Sequence, residues 1–442
     1  MTMNDRDTKP NQQIDRLYQF LLDEEDARVC TDIPEESCSD VPRNFIRIGA
    51  AQTLTRLADE LANAKTVLPW LLAAAGASSF WVGFLVPIRE SMSMLPQLFI
   101  AGAIRRRPLR KQVWLTGAVL QSLALIVLAF TALFLRGPWA GAAVLLILLL
   151  FSLARGLCSV ASKDVVGKTI PKTRRGRLNG FSAAVSGVLT LAVGLLLVSW
   201  IGESASPALF AFLLFAAAAL WLASAWIFSN ILEQPGATQG GKNAVDEALK
   251  RLDILRTDRP FRRFVLVRAL LLSSALAGPY YIMLAGQSGA GGKLLGFFVL
   301  ASGLASALSS AFWGRFSDRS SRSVLIAAAA IASSLGLLLF IIDFLGLLQN
   351  GLGWITPIAF FLLAIAHSGI RIGRKTYILD MASGERRTDY VAVSNTVIGA
   401  VLLLSGSLGA LAPWIGASGM LLLLSLFGFA GVILGIQLPE AE

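Results

Sequence analysis

Arg155 lies in the apolar run Phe151-Ser-Leu-Ala-Arg-Gly-Leu-Cys158, eight residues before Lys163. That is roughly 12 Å of helix, so the guanidinium starts well below the basic connection that follows. An ionisable group at such depth among apolar neighbours is costly and marks a solute or proton path. His367, the only histidine, stands 212 residues later in an equally apolar setting and is a candidate for titration near neutral pH. Arg89-Glu90 is a third candidate, with Glu90 as proton carrier or cation contact and Arg89 as anion contact; an ion pair at the outer rim is the competing reading. Tyr280-Tyr281 follows Gly278-Pro279, where the proline opens a helix, so these rings either line a solute path or anchor at the interface. Asn395, beside Ser394, can bond a solute or a neighbouring helix. Arg268 is close enough to Arg262 and Arg263 to snorkel and is the weakest member of the set. One histidine and scattered acids supply neither a nucleophile and base nor a metal cluster. An enzyme, a cofactor and a metal are therefore not expected. Gly167-Lys168-Thr169 lacks the glycine that a phosphate loop needs at position 162, which excludes nucleotide-driven work in this chain.

A second group of residues could hold and release helices. Gly102-Ala-Ile-Arg-Arg-Arg107-Pro-Leu-Arg110 recurs at an offset of 212 as Gly314-Arg-Phe-Ser-Asp318-Arg319-Ser-Ser-Arg322. Gly314 permits close helix approach, Asp318 suits the positive N-terminus of a neighbouring helix, and Arg319 and Arg322 can pair with carboxylates or headgroups. The same gapless offset joins Lys163 to Lys375, Ser182 to Ser394, Gly187 to Gly399 and Arg155 to His367. A constant offset across loops and apolar runs is the mark of a duplicated membrane bundle.

The elements that must carry these groups are membrane helices. The chain is 55% hydrophobic and 15% charged, with a mean hydropathy of +0.66, against roughly 25% charged residues in a soluble domain. Leu- and Ala-rich runs of about 20 residues suit helices and not an alternating barrel. Twelve such runs are predicted, at 67–86, 88–104, 112–135, 139–160, 179–201 and 207–229, then 262–285, 294–313, 323–346, 353–372, 390–411 and 416–438. The net charge of +11 sits in connections between runs, with no basic groove interleaved with aromatics, so nucleic acid is not an expected partner. Connections after the even-numbered runs hold most of the Lys and Arg, whereas those after the odd-numbered runs hold only Arg89, Arg136 and Lys293. The positive-inside rule then places both termini in the cytoplasm. Cys30, Cys38 and Cys158 form no metal motif and are expected as reduced thiols.

The resulting division is a cytoplasmic N-terminal extension (1–65) with amphipathic helices, a first six-helix half (66–229), a cytoplasmic linker (230–261) with an amphipathic helix, a second half (262–438) and a short cytoplasmic tail (439–442). Ile46, Leu54, Leu57 and Leu61 of the extension suggest a helix lying at the headgroup surface.

The segment 314–323 resembles the Gly-x-x-x-Asp-Arg-x-Gly-Arg-Arg signature of the major facilitator superfamily (MFS), as do twelve spans in two related halves. Arg155-Gly-Leu-Cys-Ser159 is similar to the family's fourth-helix motif Arg-x-x-Gln-Gly, of which only the Arg is kept. Arg106 stands where the first signature has Asp, and Ser321 replaces a Gly in the second. The resemblance implies an all-α integral membrane fold, a solute site between the halves, and a link between Arg155 and proton coupling. The expected function is a secondary active transporter of a small solute working by alternating access, proton-coupled because no nucleotide or sodium motif is visible. It is expected as a monomer among the lipids of a bacterial-type inner membrane, with Gly102, Arg107, Arg110, Gly314, Asp318, Arg319 and Arg322 as cytoplasmic gate. The alternative is a transporter-like receptor or scaffold signalling through residues 1–65.

Overall fold

The computed structural model describes residues 38–95, 107–200, 206–235, 252–287, 293–317, 320–381 and 386–440. Its helices, in chain order, are α1 (Val41–Leu61), α2 (Val67–Ala74), α3 (Ser79–Met94), α4 (Arg110–Phe134), α5 (Gly137–Thr169), α6 (Lys172–Trp200), α7 (Pro207–Ser229) and the short α8 (Ile254–Thr257). There follow α9 (Arg259–Leu270), α10 (Ser273–Gln287), α11 (Lys293–Ser317), α12 (Ser321–Phe344), α13 (Ile355–Met381), α14 (Arg386–Ser405), a tight turn of helix at Gly406–Leu411, and α15 (Ala412–Ile436). Among the described residues there is no strand. Among the described residues, eight helical stretches are long and apolar enough to cross a membrane. Their outward faces are apolar, with Leu123, Val127, Phe130 and Phe134 exposed along α4 alone. Such a face is stable against lipid and not against water.

Helix starts follow local chemistry. Ser206 before Pro207 accepts a hydrogen bond from the Leu209 amide at 3.3 Å, and Asp258 before Arg259-Pro260 accepts one from the Phe261 amide at 3.0 Å. Each satisfies one orphan donor of the first turn, while proline lacks the amide that would be left over. Ser320 caps α12 in the same way, 3.1 Å from the Ser323 amide.

Two apolar cores organise the bundle. One gathers residues from Val41 to Ile231 and takes in Leu295 and Val299 of α11. The other runs from Phe261 to Leu438 and takes in Val86 of α3. Helices α6 and α11 meet closely between them: a Cβ at Gly194 would lie 2.6 Å from the Leu300 amide nitrogen, and one at Gly303 2.9 Å from that of Leu191. Gly83 of α3 faces Gly409 more tightly still, since a Cβ at Gly83 would sit 2.3 Å from the Gly409 Cα. Glycine is required there because two backbones touch.

One expectation is corrected at once. The helix read as part of a surface extension, α1, is core: Phe45, Ile48, Ala51 and Ala58 are at most 1% exposed. It packs against α6 and α7. Asn44, fully buried, clamps it by donating to the Leu232 carbonyl at 2.9 Å and accepting from the Leu232 amide at 3.0 Å. Accordingly the predicted run 67–86 is not one helix. It spans α2, the turn at 75–78 and the first part of α3. The patterned residues Leu54, Leu57 and Leu61 belong to a core helix whose other face is polar because it lines a cavity. Asn44→Ala is expected to lower the melting temperature of the purified protein, by about 1–3 kcal/mol of stability for a buried polar group left without its partner. An unchanged melting temperature would return α1 to the surface. The amphipathic helix expected in the linker 230–261 falls mostly outside the described residues, as do residues 1–37 of the extension. Cys38 is disulfide-bonded, against the expectation of reduced thiols, while Cys158 is free and buried.

A buried carboxylate ties the basic end of the first core. Glu233 accepts the Arg110 amide at 3.0 Å, the Lys111 amide at 2.8 Å and Lys168 Nζ at 3.1 Å. It thereby caps the N-terminus of α4 from the far side of α7, where a negative charge meets the helix dipole favourably.

Candidate functional site

Between the two cores lies a cavity of about 500 Å³. Helix α1 supplies Arg56, Asp59 and Glu60, at a spacing that puts all three on one face, and the chain between α1 and α2 adds Asn63 and Lys65. Arg89 and Glu90 enter from α3, Arg155 from α5, Ser186 and Thr190 from α6, Ser306 from α11 and Arg371 from α13. The wall is therefore drawn from both cores. Two smaller cavities of about 130 and 160 Å³ share Lys65, His367 and Arg371 with each other. Through Lys65 and Arg371 both adjoin the large one.

Asp59 is the hub. Its Oδ1 accepts Arg89 Nη2 at 3.0 Å, and its Oδ2 accepts Arg155 Nη1. Arg89 is further held over the Phe151 ring, 4.6 Å from the centroid, an attraction that strengthens where water is scarce. Glu60 reaches across to the second core, its Oε2 accepting Ser302 Oγ at 3.0 Å and Asn63 Nδ2 at 2.9 Å.

The break between α1 and α2 carries Lys65 to His367, with Nζ 3.4 Å from Nε2. His367 Nδ1 lies 3.0 Å from Ser274 Oγ, and that hydroxyl donates its proton to the Leu271 carbonyl at 2.9 Å. A hydroxyl has one proton to give, so Nδ1 must be the donor to Ser274, and Nε2 is left as acceptor toward Lys65. The imidazole is thus the neutral Nδ1–H form in this arrangement.

Of the sequence candidates, Arg89, Glu90 and Arg155 line the large cavity, and His367 lines both small ones. Arg155 does not face His367. Arg155 bonds Asp59, whereas His367 meets Lys65. Tyr280 and Tyr281 line none of these cavities: both are at most 3% exposed, Tyr281 packs edge-on to Phe360, and the Tyr280 hydroxyl abuts Gly83. Their neighbour Gly278 reaches the 160 Å³ cavity instead. Asn395 acts through Arg268, accepting Nη2 at 2.8 Å while Ser394 Oγ accepts Nη1 at 2.6 Å. Arg268 itself is 7% exposed and lines the 130 Å³ cavity. Snorkelling was the wrong expectation, because these two partners hold the guanidinium inward.

Among the gate candidates, Gly102, Asp318 and Arg319 lie outside the described residues, and Gly314 is described only as part of α11. Arg107 is exposed and its carbonyl accepts Arg110 Nη1. Arg110 pairs with Asp164 of α5 at 3.2 Å. Arg322 pairs with Glu440 at 2.9 Å and donates to the Leu438 carbonyl at 2.7 Å. These ties hold each basic segment to its own core.

Sequence reasoning missed Asp59, Glu60, Lys65, Arg56, Arg371 and Arg374. Two signals for α1 were present. Arg56, Asp59, Glu60 and Asn63 repeat at helical spacing, and the 212-residue offset maps 41–65 onto 253–277, pairing Arg56 with Arg268.

No protein-family model matches the chain, and no curated protein matches it either. Solved structures do. A D-xylose-proton symporter superposes with a TM-score of 0.67 at 14% identity, over 90% of this chain and 98% of that one. A POT family transporter in complex with a thioalcohol-conjugated peptide gives 0.66 at 13%, over 92% and 97%. The nucleoside transporter NupG gives 0.64 at 13%, over 89% and 98%. With strands absent from the described residues and about nine-tenths of the chain superposed, the chain shares the fold of these solved transporters.

Proposed function

We propose that the chain is a secondary active transporter that moves a small polar solute by alternating access, driven by protons, across a bacterial-type inner membrane. The observation that carries this is the charged cavity of about 500 Å³ lined from both cores, beside the backbone contact of Gly83 on α3 with Gly409. We read that contact as the closed end of a path whose charged middle suits a solute that enters from one side at a time.

In this reading the helices form twelve crossings in two six-helix halves. Helices α1 with α2, and α9 with α10, are the broken first helices of each half. The stretch Val393–Ile436, about 66 Å at 1.5 Å per residue, supplies two crossings. The halves then run from about 41 to 229 and from 259 to 438, with both termini and the basic connections on the cytoplasmic face. The exposed Trp139 and Trp414, in the first turns of α5 and α15, and Trp354, just before α13, then fall at the opposite end, as interfacial anchors do. Asp59 is the proton carrier: neutralising it frees Arg89 and Arg155 to reorganise around the solute. The rival reading, a receptor signalling through residues 1–65, loses support because α1 is part of the core and no separate output.

Purified protein in liposomes is expected to accumulate a radiolabelled solute, found by screening sugars, peptides, nucleosides and organic acids, when the interior is made alkaline. Collapsing the pH gradient should reduce accumulation to equilibration. Uptake of the same solute at the same level without the gradient would remove proton coupling, and no uptake of any class would remove transport.

A further inference from the structure

The three cavities differ in charge balance. The large one sets five cationic side chains against three carboxylates, and two of its cations are already spent on Asp59. The 130 Å³ cavity beside it is lined by Lys65, Arg268, Arg371 and Arg374, with Glu90 as its one carboxylate. No ion pair among the described residues joins Arg268, Arg371 or Arg374 to any carboxylate. The Nε atoms of Arg268 and Arg374 are buried with no hydrogen-bond partner. Arg268 is more than nine-tenths buried, and its remaining guanidinium nitrogens are pointed by neutral groups only, Ser394 and Asn395.

Clustered guanidinium groups repel one another, and a buried donor without a partner is destabilising by itself. A bundle that keeps four cations around so small a volume is poised for an anion, and guanidinium forks match the planar or tetrahedral oxygens of carboxylate and phosphate. The free volume suits such a group and little more. The larger cavity next to it offers Ser186, Thr190 and Ser306, hydroxyls that suit a polar body.

We propose that the cavity between Lys65 and Arg374 is an anion subsite, which takes the carboxylate or phosphate group of a soluble organic anion while the rest of that solute occupies the 500 Å³ cavity. This rests on the transporter reading and names its substrate class. Lys65 is shared by both cavities and so touches both parts of the solute. His367, facing Lys65 through an unprotonated Nε2, keeps the ammonium aimed between them.

The test uses the full chain in dodecyl maltoside at constant ionic strength, with melting temperature read against added ligand. Inorganic phosphate or succinate is expected to raise it saturably, whereas chloride and xylose at equal concentration do not. Arg374→Gln and Arg371→Gln, which break no ion pair or hydrogen bond described here, should each weaken the apparent Kd by about tenfold or more. Arg374→Lys should recover part of that loss. Equal stabilisation by xylose, or unaltered phosphate affinity in both Gln variants, would overturn the subsite. So would stabilisation by phosphatidylglycerol with none by the soluble anions, since the cluster would then be reading lipid headgroups. Binding is read here without vesicle or gradient. Intact anion affinity with no flux in liposomes therefore sinks the transporter reading alone, and flux of a neutral solute that these anions do not inhibit sinks the subsite alone.

Discussion

Asp59→Asn protein is expected to exchange solute across liposomes yet fail to accumulate it against a gradient. Among the described residues, the Asp59 carboxylate is the one that forms ion pairs with both Arg89 and Arg155. Replacing it with an amide keeps the shape and removes both the charge and the proton it could carry. Removing one partner of a buried ion pair costs about 3–5 kcal/mol. The Arg155 side chain is 37% exposed to the cavity, so water screens part of this, and roughly 2 kcal/mol is the expected loss of folding stability. Counterflow, which needs only the rocking of the loaded protein, should stay within about tenfold of the parent, equivalent to 1.4 kcal/mol. Gradient-driven uptake should fall to background. Accumulation that still responds to an imposed pH gradient in Asp59→Asn would sink the proton role of Asp59, and Glu90 would be the next acid to change. A variant that retains neither exchange nor a cooperative melt has simply unfolded, and Asp59→Glu, which keeps the charge, distinguishes that case by recovering both.

Gly83→Ala and Gly409→Ala are expected to have the next largest effect, through a different mechanism. A methyl at Gly83 would meet the Gly409 Cα at 2.3 Å, and one at Gly409 would meet the Gly83 Cα at 2.7 Å. Neither neighbour is a flexible side chain that can swing away. Overpacking of this kind costs about 1–3 kcal/mol, and here the penalty falls only on the state in which α3 touches the turn at Gly406–Leu411. That state should lose population by about 5- to 150-fold relative to one open at this end. Flux should drop accordingly. A membrane-impermeant maleimide added from that face should label Ser306→Cys, a cavity position, faster in the Gly83→Ala background than in its absence. Equal labelling and normal flux would show that the contact is not a closure point.

Much of the bundle is legible in the sequence. The cavity contributions of Arg89, Glu90, Arg155 and His367 follow from the cost of placing a charge or a lone imidazole in an apolar run, a cost that does not depend on which helix lies alongside. The reading of α1 failed for an identifiable reason. A helix that lines a wet cavity has one polar face, as a helix lying on the headgroups does, and Arg56, Asp59, Glu60 and Asn63 produce the same pattern in both settings. Hydropathy alone could not separate them. The internal repeat could have: the predicted run 262–285 has its counterpart at 50–73, not at 67–86. Tyr280 and Tyr281 failed differently. Their spacing beside Pro279 is compatible with a solute path, but their burial comes from Gly83 and Phe360, which arrive from distant parts of the chain.

The amino-acid order by itself determined that the chain is a helical membrane bundle with basic segments between apolar runs, charges of high cost within them and a sequence repeat of constant offset. Those properties are sums over local choices: apolar run length, the placement of Lys and Arg, and a repeat of constant offset. Which charges meet was decided only by the tertiary structure. Asp59 stands between Arg89 and Arg155, Lys65 is brought to His367 over 302 residues of chain, and Arg268 is turned inward by Ser394 and Asn395. Pairing of this kind depends on how helices from the two cores are rotated and how closely their glycines let them approach. An ångström at Gly83 decides whether two backbones touch, and no pattern along one helix encodes the partner it will touch.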